Sequence, residues 1–175
     1  MNYATFRTHD VANGPGVRVS LFVSGCTHRC KGCFNAEAWD FGYGQPYTEE
    51  LEEKILAALI PSYIKGFSLL GGEPFEPCNQ AVLVGLLEKI NAFYPAKSIW
   101  CYTGYDLEKD ILAKRLGDAE ITERMLRCID VLVDGKFIEE KKDLSLRFRG
   151  SSNQRIINVP ATLASGKVTL MEEYY

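Results

Sequence analysis

Val17-Arg18-Val19-Ser20-Leu21-Phe22-Val23 is a β-branched run of strand length, and Ser24-Gly25 joins it directly to Cys26-x-x-x-Cys30-x-x-Cys33. Three thiols set at i, i+4 and i+7 just past a strand restrict the fold. α/β proteins keep their ligand sites beyond the carboxyl ends of their strands, so a sheet is expected behind this loop.

The rest of the chain reads as alternating strands and helices. Tyr3 to Asp10 is a short extended piece, and Asn13-Gly14-Pro15-Gly16 is a turn. Thr48 caps a helix with Leu51, Ile55, Leu56, Leu59 and Ile60 at helical spacing and Pro61 at its end. A strand at Gly66 to Leu70 runs into Gly71-Gly72-Glu73-Pro74, and a helix follows from Asn79 to Phe93. Ser98 to Tyr102 is a strand ending in Thr103-Gly104-Tyr105, after which Asp106 caps a helix through Ile111 and Leu112. A helical stretch over Glu120 to Cys128 precedes a strand at Ile129 to Val133, closed by Asp134-Gly135. Glu139 to Asp143 reads as a solvated stretch and Arg149 to Gln154 as a polar loop. Strands are expected at Arg155 to Val159 and, in the tail, at Lys167 to Leu170.

Such alternation means βαβ units. Five or so strands are too few for a closed eight-stranded barrel. The expected fold is a single α/β domain over residues 1–175: a partial, open β/α barrel with a mainly parallel, curved sheet. Right-handed crossovers gather the strand-end loops on one face.

Composition bounds the function. Twenty basic against twenty-three acidic side chains give a net charge of -3, with no basic excess for nucleic acid or an anionic membrane. The N-terminus lacks the apolar core of a signal peptide, and no apolar run is long enough to span a bilayer. A cytoplasmic chain without nucleic-acid or membrane partners is expected. Cys78, Cys101 and Cys128 are scattered singly, as packed thiols rather than a disulfide framework.

The cysteine spacing also fits one stripe of a helix, but Gly25, Gly32 and the polar intervening residues favour a loop. Structural zinc usually needs four ligands. His28 lies between the first two cysteines, where a tetrahedral site is cramped, and Cys78 or Cys101 could complete an all-cysteine site from a distance. A [4Fe–4S] cluster held by three thiolates instead leaves one iron open to a small molecule. Gly-Gly before Pro is commonly only a strand-to-helix turn. On the same face as the triplet it can hold such a molecule, with Glu73 accepting hydrogen bonds from a substrate ammonium.

Cys26-x-x-x-Cys30-x-x-Cys33 followed by Gly71-Gly72-Glu73-Pro74 resembles the radical S-adenosylmethionine superfamily. Many members carry an aromatic immediately before the third cysteine; here Gly32 stands there and Phe34 follows Cys33. Cys30-Lys31-Gly32-Cys33-Phe34-Asn35 is similar instead to one branch, the activating proteins of anaerobic ribonucleoside-triphosphate reductase. Asn13-Gly14-Pro15-Gly16, Trp100 to Tyr105, Val131 to Phe137 and Arg149 to Gln154 match that branch too, and only the segment after about Arg155 does not.

The resemblance implies a [4Fe–4S] cluster on Cys26, Cys30 and Cys33, with S-adenosylmethionine chelating the open iron. Gly32, Cys33 and Phe34 should lie along that molecule, Phe34 near the adenine, or else Phe34 is a core aromatic anchoring the loop. Gly71, Gly72 and Glu73 should hold the methionyl end. Thr103, Gly104 and Asp134 either line the pocket or only form turns. The implied activity is reductive cleavage of S-adenosylmethionine to a 5′-deoxyadenosyl radical, which makes a glycyl radical on the large reductase subunit. A low-potential donor such as flavodoxin would supply the electron, and no residue beyond the cluster need act as acid, base or nucleophile. Two alternatives stand beside it: activation of another glycyl-radical enzyme or radical modification of a small molecule, and a zinc-stabilised interaction domain without catalysis.

Overall fold

The computed structural model describes all 175 residues. Seven strands form one open sheet: β1 (Asn2–Asp10), β2 (Val17–Val23), β3 (Gln45–Pro46), β4 (Ile64–Gly71), β5 (Ser98–Tyr102), β6 (Val131–Asp134) and β7 (Arg155–Asn158). Their order is β3-β1-β2-β4-β5-β6-β7. The central strands β2, β4, β5 and β6 pair in parallel, whereas β1, β3 and β7 join antiparallel at the flanks. The α/β class and the parallel centre are as expected. The sheet stays open because its edges, β3 and β7, do not pair with each other.

Four helices complete the fold: α1 (Glu49–Ala58), α2 (Pro77–Phe93), α3 (Ala119–Arg127) and α4 (Val159–Ser165). Alternate strand residues such as Val19, Leu21, Phe67, Leu69, Ile99 and Leu132 share one buried core with Ile55 of α1, Leu83 to Ile90 of α2, and Met125 and Leu126 of α3. Each such side chain contributes about 1.5–3 kcal/mol on burial. The intervening residues face the other way, where Trp100, Val131, Val133 and Ile156 form a smaller cluster. Arg18 lies there, fully buried. It donates to Ser68 Oγ (2.7 Å), Ser98 Oγ (3.1 Å) and the carbonyls of Phe67 and Ser98 (both 2.8 Å). Burial pulls its pKa down to about 10, which leaves it charged at neutral pH.

Several elements differ from expectation. β1 is nine residues long, its antiparallel pairing with β2 supplying the order that its sequence only hints at. α1 ends at Ala58, and Ile60 is exposed. Asp106 does cap a helical segment, but it is one π turn over Leu107–Ile111, after which Lys114 turns left-handed (φ 56°). β7 stops at Asn158 because the Asn158 side chain accepts from Ala161 N–H and caps α4, which Gly166 closes in a left-handed conformation. Lys167 to Leu170 is not a strand; a single bridge joins Leu170 to Ile157.

Candidate functional site

The carboxyl ends of β2, β4, β5 and β6 deliver four turns to one cavity of about 430 Å³. Nine of the residues singled out from the sequence line it: Cys26, Cys30, Gly32, Cys33, Phe34, Gly71, Gly72, Glu73 and Thr103. The stretch from Ser24 to Asn35 is a loop, as its glycines predict. Phe34 is 81% exposed at the cavity, which overturns the option of a core aromatic.

The Gly-Gly turn is shaped by its fit to the cysteine loop. A Cβ on Gly72 would fall 2.5 Å from the Gly25 carbonyl oxygen and 2.9 Å from that of Ala38, so only glycine lets the two backbones approach. Gly72 N–H donates to the Val23 carbonyl (2.7 Å) and Glu73 N–H to that of Gly25 (2.8 Å). These two amide donors are therefore spent on the end of β2 and the start of the loop.

Glu73 is likewise occupied. Its buried carboxylate accepts from Phe75 N–H, Thr103 Oγ1, Gly104 N–H and His28 Nε2 at 2.8–3.1 Å. Within the chain, all four of its acceptor positions are thus taken. Glu76, at the amino end of α2, accepts from both Thr27 N–H (2.7 Å) and Thr27 Oγ1 (2.5 Å). Buried Asn79 donates to the carbonyls of Ser24 and Glu73. Sequence reasoning took Asn79 only as the start of a helix and did not single out Glu76. Their one visible signal was being polar beside an apolar helix face.

The thiols are free. Burial pushes the Cys26 thiol up to about 11, although the His28 and Arg29 N–H groups oppose the shift. Burial also raises the Cys30 thiol, with Cys33 beside it adding to the effect. The only trio of potential ligands whose atoms all lie within 4.8 Å of one another is Asp106, Glu108 and Asp134. The three sulfurs are thus more widely spread than one tetrahedral zinc requires, which at its bond length is about 3.8 Å between sulfurs. Cys101 is buried in the core, Cys78 is exposed, and neither lines the cavity, so no fourth thiol completes a zinc site. His28 Nε2 is engaged by Glu73. Three cavity-lining thiols with no fourth fit an iron–sulfur cluster with one open position.

The far wall comes from residues 142–154. Lys142 and Asp143, expected only as solvated surface, line the cavity together with Leu144, Phe148, Arg149 and Gln154. Gln154 fastens this wall, accepting from Gly150 and Ser151 N–H and donating to the Gly135 carbonyl. Gly104 lines the cavity; Asp134 does not, being held by Arg155 and Leu107 N–H beneath the rim.

A family model described as a 4Fe-4S single cluster domain matches residues 12–157. A Vibrio cholerae protein is 46% identical over 158 residues, covering 89% of this chain and 97% of the relative. An Escherichia coli K12 protein is 44% identical over 156 residues, covering 88% and 96%. One from bacteriophage T4 is 40% identical over 156 residues, covering 89% and 93%. All three are named anaerobic ribonucleoside-triphosphate reductase-activating protein. With its cysteine loop, its Gly-Gly turn and nearly the whole length of these relatives, the chain belongs to the family of anaerobic ribonucleoside-triphosphate reductase-activating proteins.

Proposed function

We propose that the chain, as one domain over residues 1–175, is a radical-generating activase of anaerobic ribonucleoside-triphosphate reductase. Cys26, Cys30 and Cys33 hold a [4Fe–4S] cluster, and S-adenosylmethionine occupies the cavity beside it. When bound, the cluster supplies the electron that cleaves S-adenosylmethionine to methionine and a 5′-deoxyadenosyl radical, which takes a hydrogen atom from a backbone glycine of the reductase large subunit. The observation that carries this reading is the convergence of all three cysteines and the Gly71-Gly72 turn on one cavity, whose volume suits a small-molecule ligand.

The chain's own residues bind and orient. Gly72 keeps its carbonyl free of internal hydrogen bonds and is the acceptor left at the turn for the methionyl ammonium. Exposed Phe34 offers a flat apolar surface to the adenine. Leu144, Leu146 and Phe148 add apolar surface to the lining of the cavity. Partners are the reductase large subunit and a low-potential donor such as flavodoxin, in the cytoplasm, with no nucleic acid or membrane involved. No helix is long and apolar enough to cross a membrane.

Anaerobic reconstitution with iron and sulfide, mixing with the large subunit and S-adenosylmethionine, and electron paramagnetic resonance test the assignment. A glycyl radical on the subunit is expected. Stoichiometric zinc with no reducible iron–sulfur signal would overturn it. Cleavage of S-adenosylmethionine without a radical on the subunit would redirect it to another glycyl-radical enzyme.

A further inference from the structure

Four donors, one from Glu73's own turn, two from the end of β5 and one from the cysteine loop, converge on the Glu73 carboxylate, which is 1% exposed. Oε1 accepts from Phe75 N–H (2.9 Å) and Thr103 Oγ1 (2.8 Å); Oε2 accepts from Gly104 N–H (2.8 Å) and His28 Nε2 (3.1 Å). Each carboxylate oxygen offers two lone pairs, so all four are used. A cationic ligand in the cavity finds no free acceptor on this side chain.

His28 is the one donor of the four that belongs to the cysteine loop. Its side chain is 6% exposed and stands edge-on to Tyr105, with ring centroids 4.3 Å apart. The ring lies so close to Gly104 that a Cβ there would fall 2.4 Å from it, against the imidazole itself. A side chain at 104 would push His28, and the loop with it, away from the end of β5. The neighbouring Thr27 is held by Glu76 at the amino end of α2.

We propose that Glu73 is a positioning residue that acts through His28, fixing the Cys26–Cys30 half of the loop against the ends of β4 and β5. It thereby sets how far the cysteines stand from the free Gly72 carbonyl, and it does not touch the ligand. This role rests on the proposed identity of the cavity as an S-adenosylmethionine site.

A double-mutant cycle separates the two ways Glu73 can act. Glu73→Gln keeps the shape but presents an NH₂ group to donors; His28→Phe keeps the ring against Tyr105 but removes Nε2. S-adenosylmethionine dissociation constants and the resonance spectrum of the reduced cluster are measured on reconstituted protein of known iron content. Each single variant is expected to weaken binding about tenfold, with the same change in the spectrum, and the double variant to be no weaker than the worse single one. Multiplied losses, or weakened binding in Glu73→Gln with none in His28→Phe, would overturn the role, because Glu73 would then meet the ligand directly.

Melting of the apo-proteins supplies a second cycle that needs no ligand. Coupling between the two positions is expected there as well, and additive shifts would overturn the link. If Glu73→Gln does not fold, Thr103→Val removes one donor from the same carboxylate and replaces it in both cycles. Wild-type protein that binds no S-adenosylmethionine while the melting cycle still couples would sink the identity of the cavity and leave the Glu73–His28 link standing.

Discussion

Phe148 and Tyr174 meet edge to face with ring centroids 5.4 Å apart, and each meets Trp100 in the same way at 5.4 and 5.5 Å. Phe148 lines the cavity in a left-handed conformation (φ 54°) that a bulky side chain rarely adopts. The tail thus holds a strained residue of the cavity wall in place. Met171 N–H donates to the Ile156 carbonyl, Tyr175 Oη accepts from Ile156 N–H, and Arg147 lies over both the Phe148 and Tyr174 rings. The tail half of this clasp, Met171, Tyr174 and Tyr175, lies outside the residues matched to the family model.

Tyr174→Ala should therefore loosen the wall as well as the tail. Removing a half-buried ring that pairs with two others is expected to cost about 1–2 kcal/mol, or a fall of roughly 2–8 °C in Tm for a chain of this size. Cleavage by a protease between residues 142 and 149 should become faster. Tyr174→Phe should match the wild type within about 0.5 kcal/mol, since the contacts to Trp100, Phe148 and Arg147 are made by the ring. A protection pattern unchanged in Tyr174→Ala would dismiss the clasp.

Much of this was legible in the chain, and the physical reason is locality. β2, β4, β5 and β6 are short apolar runs bounded by turn residues, and each signal lies within the strand itself. The cysteine triplet and Gly71-Gly72 are equally local, and they line the cavity together, whereas the strand-end candidate Asp134 does not. What stayed hidden depends on distant partners. β3 is two residues that exist as a strand only because Asn2 and Tyr3 pair with them. Glu73 looked available because three of its four donors, on His28, Thr103 and Gly104, reach it only through the fold. Arg18 reads as one polar residue in a strand, yet it is buried by Ser68, Ser98 and Trp100. The π turn after Asp106 carries a proper capping residue, and nothing at that position announces that the helix will not continue.

Gly72→Ala is expected to be severe. The new methyl would meet two backbone carbonyls, of Gly25 and Ala38, and neither can move as a side-chain tip would. Forced overpacking of this kind costs about 1–3 kcal/mol, and the cysteine loop must shift to relieve it. Chemical denaturation of the apo-protein measures the first effect, and iron bound per chain after reconstitution measures the second. Wild-type values in both would mean that the two backbones are not in contact.

Cysteine variants should divide into two groups. Cys30→Ala should bring bound iron to background and abolish S-adenosylmethionine cleavage, with the helical circular-dichroism signal intact. Cys101→Ala should keep its iron and lose about 1 kcal/mol of stability from the small void left in the core. Exposed Cys78→Ala should differ from wild type by no more than about 0.5 kcal/mol. Iron analysis of the three proteins in parallel checks the division, and loss of iron in Cys101→Ala would point to a fourth ligand.

Arg155 supports the rim of the site from below. It bonds both oxygens of buried Asp134 and reaches both oxygens of Glu108. Arg155→Met should cost roughly 2–3 kcal/mol, less than a fully buried pair, because the guanidinium side chain keeps 30% of its exposure and solvent screens it. The Arg155 hydrogen bond is the largest influence on Glu108 and holds its carboxyl below the usual range. A carboxyl with a depressed folded pKa stabilises the fold above its unfolded pKa, and that contribution is lost as pH falls through the folded value. The gap between wild type and Arg155→Met should therefore be full above about pH 5 and narrow below about pH 4. Denaturation curves of both proteins at pH 7 and pH 3.5 test this, and an unchanged gap at the lower pH would mean that the Glu108 pairing contributes nothing to stability.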